Sequence, residues 1–134
     1  MKTEIRVRGY HTDLFQHVNN ARYLEFLEEN RWQTFENHMD FKKILSMGYQ
    51  FFVVNINISY ISQARVNDLL IIRCGLADIG NKSAVFEQKV FNKTTDKICA
   101  TALVTFVITD SKGTPLKIED ELKEFVSKIP PIKE

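Results

Sequence analysis

The chain has 134 residues, of which 44% are hydrophobic and 26% are charged, a mixture typical of one folded domain with a single core. Its 18 basic and 17 acidic side chains give a net charge of +1 without a long run of lysine or arginine, so the sequence does not support nucleic-acid binding. No apolar segment has the length of a signal peptide core or a membrane span, which predicts a cytoplasmic protein without membrane insertion.

The first part of the chain predicts a strand, a polar loop and a long helix. Residues 3–10 alternate between apolar and polar side chains, as a half-buried strand does. After the polar loop, apolar residues recur at three- and four-residue steps, which predicts a helix of about 18 residues, roughly 27 Å long. Asn19 or Asn20 is the predicted N-cap, because its side-chain oxygen can accept a free N–H of the first turn.

The rest of the chain predicts a short helix at residues 41–47, then four strands and a terminal helix within residues 118–129. In the first of these strands, strict alternation predicts one shared face for Phe52, Val54, Ile56, Ile58 and Tyr60. The next three strands are expected at residues 68–77, 82–91 and 98–109, and the short turns between them indicate antiparallel pairing.

This order of elements predicts an α+β fold in which the sheet curls around the long helix, because one helix cannot cover both faces of a flat five-stranded sheet. The strand that bears Asn55 and Asn57 is a candidate edge for pairing with a second copy of the chain. Cys74 and Cys99 lie in strand segments without metal-ligand spacing and predict buried free thiols.

The polar segment GYHTDLFQHVNNARY, residues 9–23, collects His11, Asp13 and His17 just before the long helix. Taken alone, Asp13 is more often a loop residue that makes an Asx turn than a catalytic group. A metal site formed by these three side chains would lack an evident fourth ligand. His11 is expected to be a loop or surface side chain.

The segment VRGYHTDLFQHVNNARYLEFLEENRW, residues 7–32, resembles the opening of hotdog-fold acyl-CoA thioesterases of the 4-hydroxybenzoyl-CoA thioesterase type. The shared pattern is an aspartate, a His-Val-Asn triplet four residues later, and a helix with Tyr-Leu and Glu-x-x-Arg steps. Later strand segments fit as well, so the resemblance spans nearly the whole chain. This chain departs from many relatives in having Gln16 in place of glycine and no proline after Ser62.

The resemblance implies one hotdog thioesterase domain over residues 1–134, a long central helix wrapped by a curved five-stranded antiparallel sheet, with residues 115–134 as C-terminal helix and tail. It implies hydrolysis of medium- to long-chain fatty acyl-CoA to the free acid and coenzyme A, without a metal or another cofactor. It also implies a homodimer or homotetramer in which a partner subunit completes each site.

The same resemblance makes Asp13 the catalytic carboxylate, as general base or as nucleophile, and the backbone N–H of Asn20 the donor to the thioester carbonyl. A helix N-terminus suits that task because its free N–H groups and its dipole stabilise negative charge. Substrate contacts are implied for a further set of residues: His17, Asn19, Tyr23, Arg65, Lys82 and Ser83. For His17 a purely structural role remains open, and Glu28 and Arg31 are spaced to form an ion pair on the helix.

Two other functions remain open at this point. A hotdog dehydratase or hydratase would use Asp13 and His17 for proton transfer at the β-carbon of an acyl thioester. A non-catalytic protein that binds acyl thioesters would have the same fold, since a fold does not by itself determine function.

Overall fold

The computed structural model describes residues 2–133, so the ends of the predicted domain, Met1 and Glu134, lie outside the described residues. Five strands and three α-helices follow one another as β1 (Lys2–Arg6), α1 (Asn20–His38), α2 (Phe41–Ser46), β2 (Gln50–Tyr60), β3 (Leu69–Ile79), β4 (Ala84–Asn92), β5 (Lys97–Thr109) and α3 (Asp120–Ser127). A 3₁₀-helix at Gly9–His11 lies between β1 and α1. The predicted first strand therefore ends four residues earlier than expected.

The strands form one sheet in the order β1-β3-β4-β5-β2, and every neighbouring pair is antiparallel. The edge position predicted for the strand with Asn55 and Asn57 is confirmed, because β2 pairs only with β5 in the described part of the chain. The α+β fold with a long helix against a five-stranded antiparallel sheet is confirmed as well. No described helix has the length and apolar character needed to cross a membrane.

Helix α1 begins at a cap made by Asn19, whose side-chain oxygen accepts the backbone N–H of Ala21 at 2.9 Å. Its buried side chains recur at helical spacing and include Tyr23, Phe26 and Leu27. These three pack against apolar residues of β3, β4 and β5 in one core cluster. Burying side chains of this size contributes about 1.5–3 kcal/mol each, which holds the helix start firmly on the sheet.

Strand β2 does not follow the predicted alternation. Its register with β5 shifts between Val53 and Asn55, where a β-bulge inserts one extra residue. Phe51 and Val53 pair with buried residues of β5, as does Ile56 beyond the bulge. The predicted grouping of Phe52 and Val54 with Ile56, Ile58 and Tyr60 is therefore wrong, because a one-residue insertion moves the preceding side chains to the opposite face.

A buried polar layer joins α1 to the sheet. Gln88 donates to the backbone oxygen of Leu27 at 2.9 Å and to Asn30 Oδ1 at 3.0 Å. Arg31 donates from Nη1 to Gln88 Oε1 at 3.1 Å. The predicted ion pair of Arg31 with Glu28 is wrong, since Arg31 turns into the core toward β4 while Glu28 stays exposed.

Both cysteines are free and buried, as predicted. Burial raises the pKa of the Cys74 thiol to about 12 and also raises the pKa of Cys99. Neither thiol has the exposure or the lowered pKa of a nucleophile.

Candidate active site

The loop before α1 is a tight hairpin whose tip is formed by residues 13–16. Its two sides pair at Thr12 and Val18, and the backbone N–H of Gln16 donates to the carbonyl oxygen of Asp13 at 3.0 Å. Gln16 adopts a φ of 66°, in the left-handed region that favours glycine. The departure from glycine at this position therefore leaves the turn in place at the cost of local backbone strain.

The two oxygens of the Asp13 carboxylate have different surroundings. Its Oδ1 accepts the backbone N–H of Phe15 at 2.9 Å and that of His17 at 3.4 Å, which is an Asx turn. Oδ2 has no hydrogen-bond partner within residues 2–133, and the residue is exposed. The structural role predicted for an isolated aspartate is thus present, and it fixes the carboxylate while leaving one oxygen accessible.

The first residue of α1 offers a free donor beside this carboxylate. The backbone N–H of Asn20 has no acceptor among the described residues, because Asn19 caps the following N–H instead. Tyr60, at the end of β2, donates its hydroxyl to the carbonyl oxygen of Asn20 at 3.1 Å and fixes this turn from the sheet side. A free N–H at a helix N-terminus is suited to stabilising an oxyanion.

Asp13 and Asn20 line the same cavity of about 390 Å³. The cavity also contains two of the predicted substrate contacts, His17 and Tyr23. The remaining lining residues are Phe15, Val18, Tyr60, Ile61, Ser62 and Gln63. We refer to this space as the carboxylate cavity.

The other predicted contacts lie outside this cavity. Asn19 acts as the helix cap, and Arg65 lies beside it, where its backbone forms a β-bridge with His17. Lys82 and Ser83 belong to the β3–β4 turn. That turn is at the opposite end of the sheet, and one chain alone does not bring it to Asp13.

Sequence reasoning missed Tyr60 and Ser62 as site residues. Tyr60 makes an edge-on ring contact with Tyr23 at 5.5 Å between centroids, and Ser62 donates its hydroxyl to the carbonyl oxygen of Ile98 at 2.7 Å. Both residues come from the end of β2 and the turn after it, about forty positions after the loop. No local pattern links them to Asp13.

His11 is a buried structural residue, and the expectation of a surface side chain is wrong. Its Nδ1 accepts the backbone N–H of Arg8 at 2.8 Å, and its ring lies against Tyr10 and Phe26. Burial lowers the pKa of His11, with a smaller contribution from the nearby Arg22, which favours the neutral ring that this hydrogen bond requires. Within residues 2–133 no group of three or more His, Cys, Asp or Glu side chains is placed to bind a metal ion.

The sequence pattern of the Thioesterase-like superfamily matches residues 7–131. The chain belongs to this superfamily. It is 46% identical over 125 residues to the long-chain acyl-CoA thioesterase FadM of Escherichia coli K12, covering 92% of this chain and 95% of FadM. Membership of the superfamily confirms the predicted hotdog domain and the prediction of an enzyme that hydrolyses thioesters.

Solved structures of related proteins share the fold of this superfamily member. The structure of YbaW, a probable thioesterase from Escherichia coli, is 44% identical with a TM-score of 0.90, covering 96% of this chain and 98% of YbaW. A protein of Staphylococcus aureus crystallised with CoA has a TM-score of 0.82, over 99% of this chain and 87% of that one. At 14% identity this second likeness concerns the fold alone.

A second and more apolar pocket of about 490 Å³ lies between α1, α2 and the sheet of this thioesterase-family chain. Six of the seven aromatic side chains that line it form one connected set: Trp32, Phe35, Phe41, Phe51, Phe86 and Phe106. Their rings contact one another, and Phe86 stacks on Phe106 at 4.6 Å between centroids. We call this space the aromatic pocket; the other residues that line it are Glu28, Arg31, Leu45, Gln50, Phe52, Val53 and Val104.

The two pockets of one chain lie at opposite ends of β2. Residues 50–53 border the aromatic pocket, whereas Tyr60 borders the carboxylate cavity. Eight residues of strand, roughly 25 Å at 3.3 Å per residue, lie between these two ends of β2. Along α1 the pockets are closer, because Tyr23 borders the carboxylate cavity and Glu28 borders the aromatic pocket, about 8 Å apart at 1.5 Å per residue.

Proposed function

We propose that this protein is an acyl-CoA thioesterase that hydrolyses medium- to long-chain fatty acyl-CoA to the free acid and coenzyme A. The observation that carries the proposal is the carboxylate cavity, which is lined both by Asp13 and by Asn20, whose Oδ2 and backbone N–H, respectively, have no partner among the described residues. The identity of 46% with the long-chain acyl-CoA thioesterase FadM supports the substrate class.

In the proposed reaction the thioester carbonyl oxygen accepts the N–H of Asn20, and the helix dipole stabilises the negative charge that develops on it. Asp13 either removes a proton from an attacking water or attacks the carbonyl carbon itself to form a mixed anhydride. On either route the tetrahedral intermediate collapses with cleavage of the C–S bond, and coenzyme A leaves as the thiol after taking up a proton. On the nucleophilic route a water then hydrolyses the mixed anhydride, which releases the fatty acid and regenerates Asp13. His17 lines the cavity and orients the thioester.

We further propose a homodimer formed by antiparallel pairing of β2 with β2 of a second copy. The edge of β2 is unpaired, and its side chains Phe52, Val53 and Val54 are each about half exposed, at 48%, 45% and 57%. Antiparallel pairing about the middle of the strand would bring residues 50–53 of one copy beside the end of β2 in the other. Residues 50–53 and Tyr60, which are roughly 25 Å apart along one strand, would then lie on neighbouring strands across the interface.

This arrangement would supply each carboxylate cavity with an acyl site from the partner. The thioester would lie beside Asp13 of one copy, and the acyl chain would extend into the aromatic pocket of the other. The β3–β4 turn with Lys82 and Ser83 lies toward the same end of the sheet as the aromatic pocket. In the dimer these residues approach the cavity from the partner, while Arg65 approaches from the same chain as Asp13, and both can meet the phosphates of coenzyme A.

A thiol-release assay across acyl-CoA chain lengths tests the proposed activity. We expect kcat/KM for thiol release to rise with chain length, because each methylene buried in the aromatic pocket contributes about 0.8 kcal/mol to binding. Enoyl absorbance that appears from a 3-hydroxyacyl thioester without thiol release would show a dehydratase instead. Tight acyl-CoA binding without thiol release above background would show a binding protein.

The route of Asp13 is tested by a single turnover in ¹⁸O-labelled water. Label in Asp13 with an unlabelled fatty acid would identify a nucleophile whose mixed anhydride is opened by water at the Asp13 carbonyl carbon, whereas label in the fatty acid alone fits a general base or an anhydride opened at the acyl carbon. Either result is compatible with the proposed activity. Cytoplasmic location and further assembly into a tetramer remain predictions.

A further inference from the structure

A cation lies in the wall of the mainly apolar aromatic pocket, which Glu28 and Gln50 also line. Arg31 lines the pocket and is 7% exposed, and its single hydrogen bond among the described residues runs from Nη1 to Gln88. The other guanidinium nitrogens, Nε and Nη2, have no hydrogen-bond partner within residues 2–133. Since every fully buried polar side-chain atom of these residues has a partner, the two nitrogens retain accessible surface on a side chain that lines the aromatic pocket.

The charge of Arg31 is not neutralised inside the pocket. No carboxylate of the described residues lies within 4 Å of it. Glu28 stands on the exposed rim, and its charge raises the pKa of Arg31 by less than burial lowers it. An arginine remains protonated in such surroundings, so the pocket holds a desolvated cation with free donors.

The guanidinium is also held in a fixed orientation. Gln88, which accepts from Arg31, is itself fixed by its two donations to Leu27 and Asn30. A donor held in this way in the wall of a cavity binds an acceptor at a smaller entropic cost than a flexible side chain does. A buried structural arginine would instead have its donors paired with protein oxygens.

We propose that Arg31 is a specificity-determining residue for acyl chains that carry an oxygen acceptor near their far end, with a terminal carboxylate bound best. A carboxylate can accept two parallel N–H bonds from a guanidinium, while the aromatic wall buries the methylenes that precede it. The preferred substrates are then acyl thioesters of dicarboxylic or ω-hydroxy fatty acids. This inference rests on the proposed function, in which the aromatic pocket receives the acyl chain.

A binding measurement tests the role of Arg31 without any turnover. Trp32 is the only tryptophan of the chain and lines the aromatic pocket, so its fluorescence reports occupancy. Wild type, Arg31→Met and a matched Arg73→Met control on the exposed strand surface are each titrated with octanoate and with 1-octanol. We expect Arg31→Met to weaken octanoate binding roughly tenfold or more, with octanol affected much less and the control like wild type.

Equal octanoate affinity in wild type and Arg31→Met would overturn the inference. If Arg31→Met does not fold, wild type alone decides: octanoate must bind clearly more tightly than octanol, and equal binding overturns the inference. In that case water, and no ligand, would accept the remaining N–H groups of Arg31.

A turnover measurement tests the same role of Arg31 with acyl-CoA substrates. The ratio of kcat/KM for ω-carboxydodecanoyl-CoA to that for dodecanoyl-CoA is compared between wild type and Arg31→Met. We expect this ratio to fall by roughly tenfold or more in the variant, whatever the change in its turnover of dodecanoyl-CoA. An unchanged ratio refutes the inference. Absence of thiol release from both substrates refutes the proposed function instead, and the octanoate titration still decides the role of Arg31.

Discussion

Replacing Asp13 by asparagine or by alanine separates its structural task from its chemical one. Oδ1 accepts two backbone N–H groups of its own loop, from Phe15 and His17, while Oδ2 has no partner among the described residues and belongs to a side chain that lines the carboxylate cavity. Asparagine keeps an oxygen for the two loop bonds and places an amide where the reactive oxygen was. Alanine removes both groups.

The magnitudes follow from these contacts. Of the two loop bonds, the one to Phe15 at 2.9 Å is well formed, whereas 3.4 Å to His17 is long. Since the site is exposed, alanine should cost about 1 kcal/mol in the free energy of unfolding, or roughly 3–5 °C in Tm for a chain of this size. Asparagine should leave Tm within about 1 °C of wild type.

Turnover should fall ~100-fold or more in both variants, because neither side chain can act as base or nucleophile. Thiol release under saturating acyl-CoA measures the rate, and a thermal melt of the same samples measures stability. An active asparagine variant would refute the reasoning. Activity that tracks Tm across the two variants would show that Asp13 serves the turn alone.

Three further predictions concern single positions. The pKa of His11 is lowered from 6.5 in the folded state, so the neutral ring stabilises the fold fully above pH 6.5, and this part of the free energy of unfolding is lost as the pH falls below that value. The urea midpoint should therefore drop more between pH 7.5 and 5.5 in wild type than in His11→Asn, and equal drops would contradict this. Gln16→Gly should remove strain of about 1 kcal/mol, partly offset by unfolded-chain entropy, and raise Tm or leave it unchanged relative to a Gln16→Ala control. A lower Tm than that control would count against it. Cys74 and Cys99 should react with a thiol reagent far more slowly in the native than in the urea-unfolded protein, and a rapid native reaction would show that one of them is accessible.

The elements of this fold were predictable from sequence because each depends on a local period. The helix could be placed from the spacing of its apolar residues and from the capping asparagine, both of which act within a few positions. The faces of β2 were not predictable, since alternation looks the same with or without a bulge after Val53. Arg31 likewise turns to Gln88 instead of Glu28, because a tertiary contact outweighs a weak pairing along a helix surface.

The residues of the candidate site also fall into a group that was predictable from sequence and a group that was not. Asp13, His17 and Asn20 were predictable together because they come from eight consecutive positions that fold as one hairpin and one helix start. Tyr60 and Ser62 reach the same cavity through the pairing of β2 with β5, and the aromatic pocket draws on α1, α2 and three strands. Contacts of that kind exist only after the sheet has formed.

The bulge in β2 affects both the faces of the strand and the residues of the candidate site. Without it, the alternation set by Ile56 and Ile58 would turn Phe52 toward the helix and leave Phe51 and Val53 on the outer face of the sheet. With it, Phe51 joins the aromatic wall beside Phe41 and Phe106. The extra residue lies in one of the two edge strands of the sheet, the one proposed to pair with a second copy. The bulge, which the alternation of the sequence does not reveal, thus places the aromatic wall beside the edge of β2, where the acyl chain of a thioester bound at a partner's Asp13 would lie.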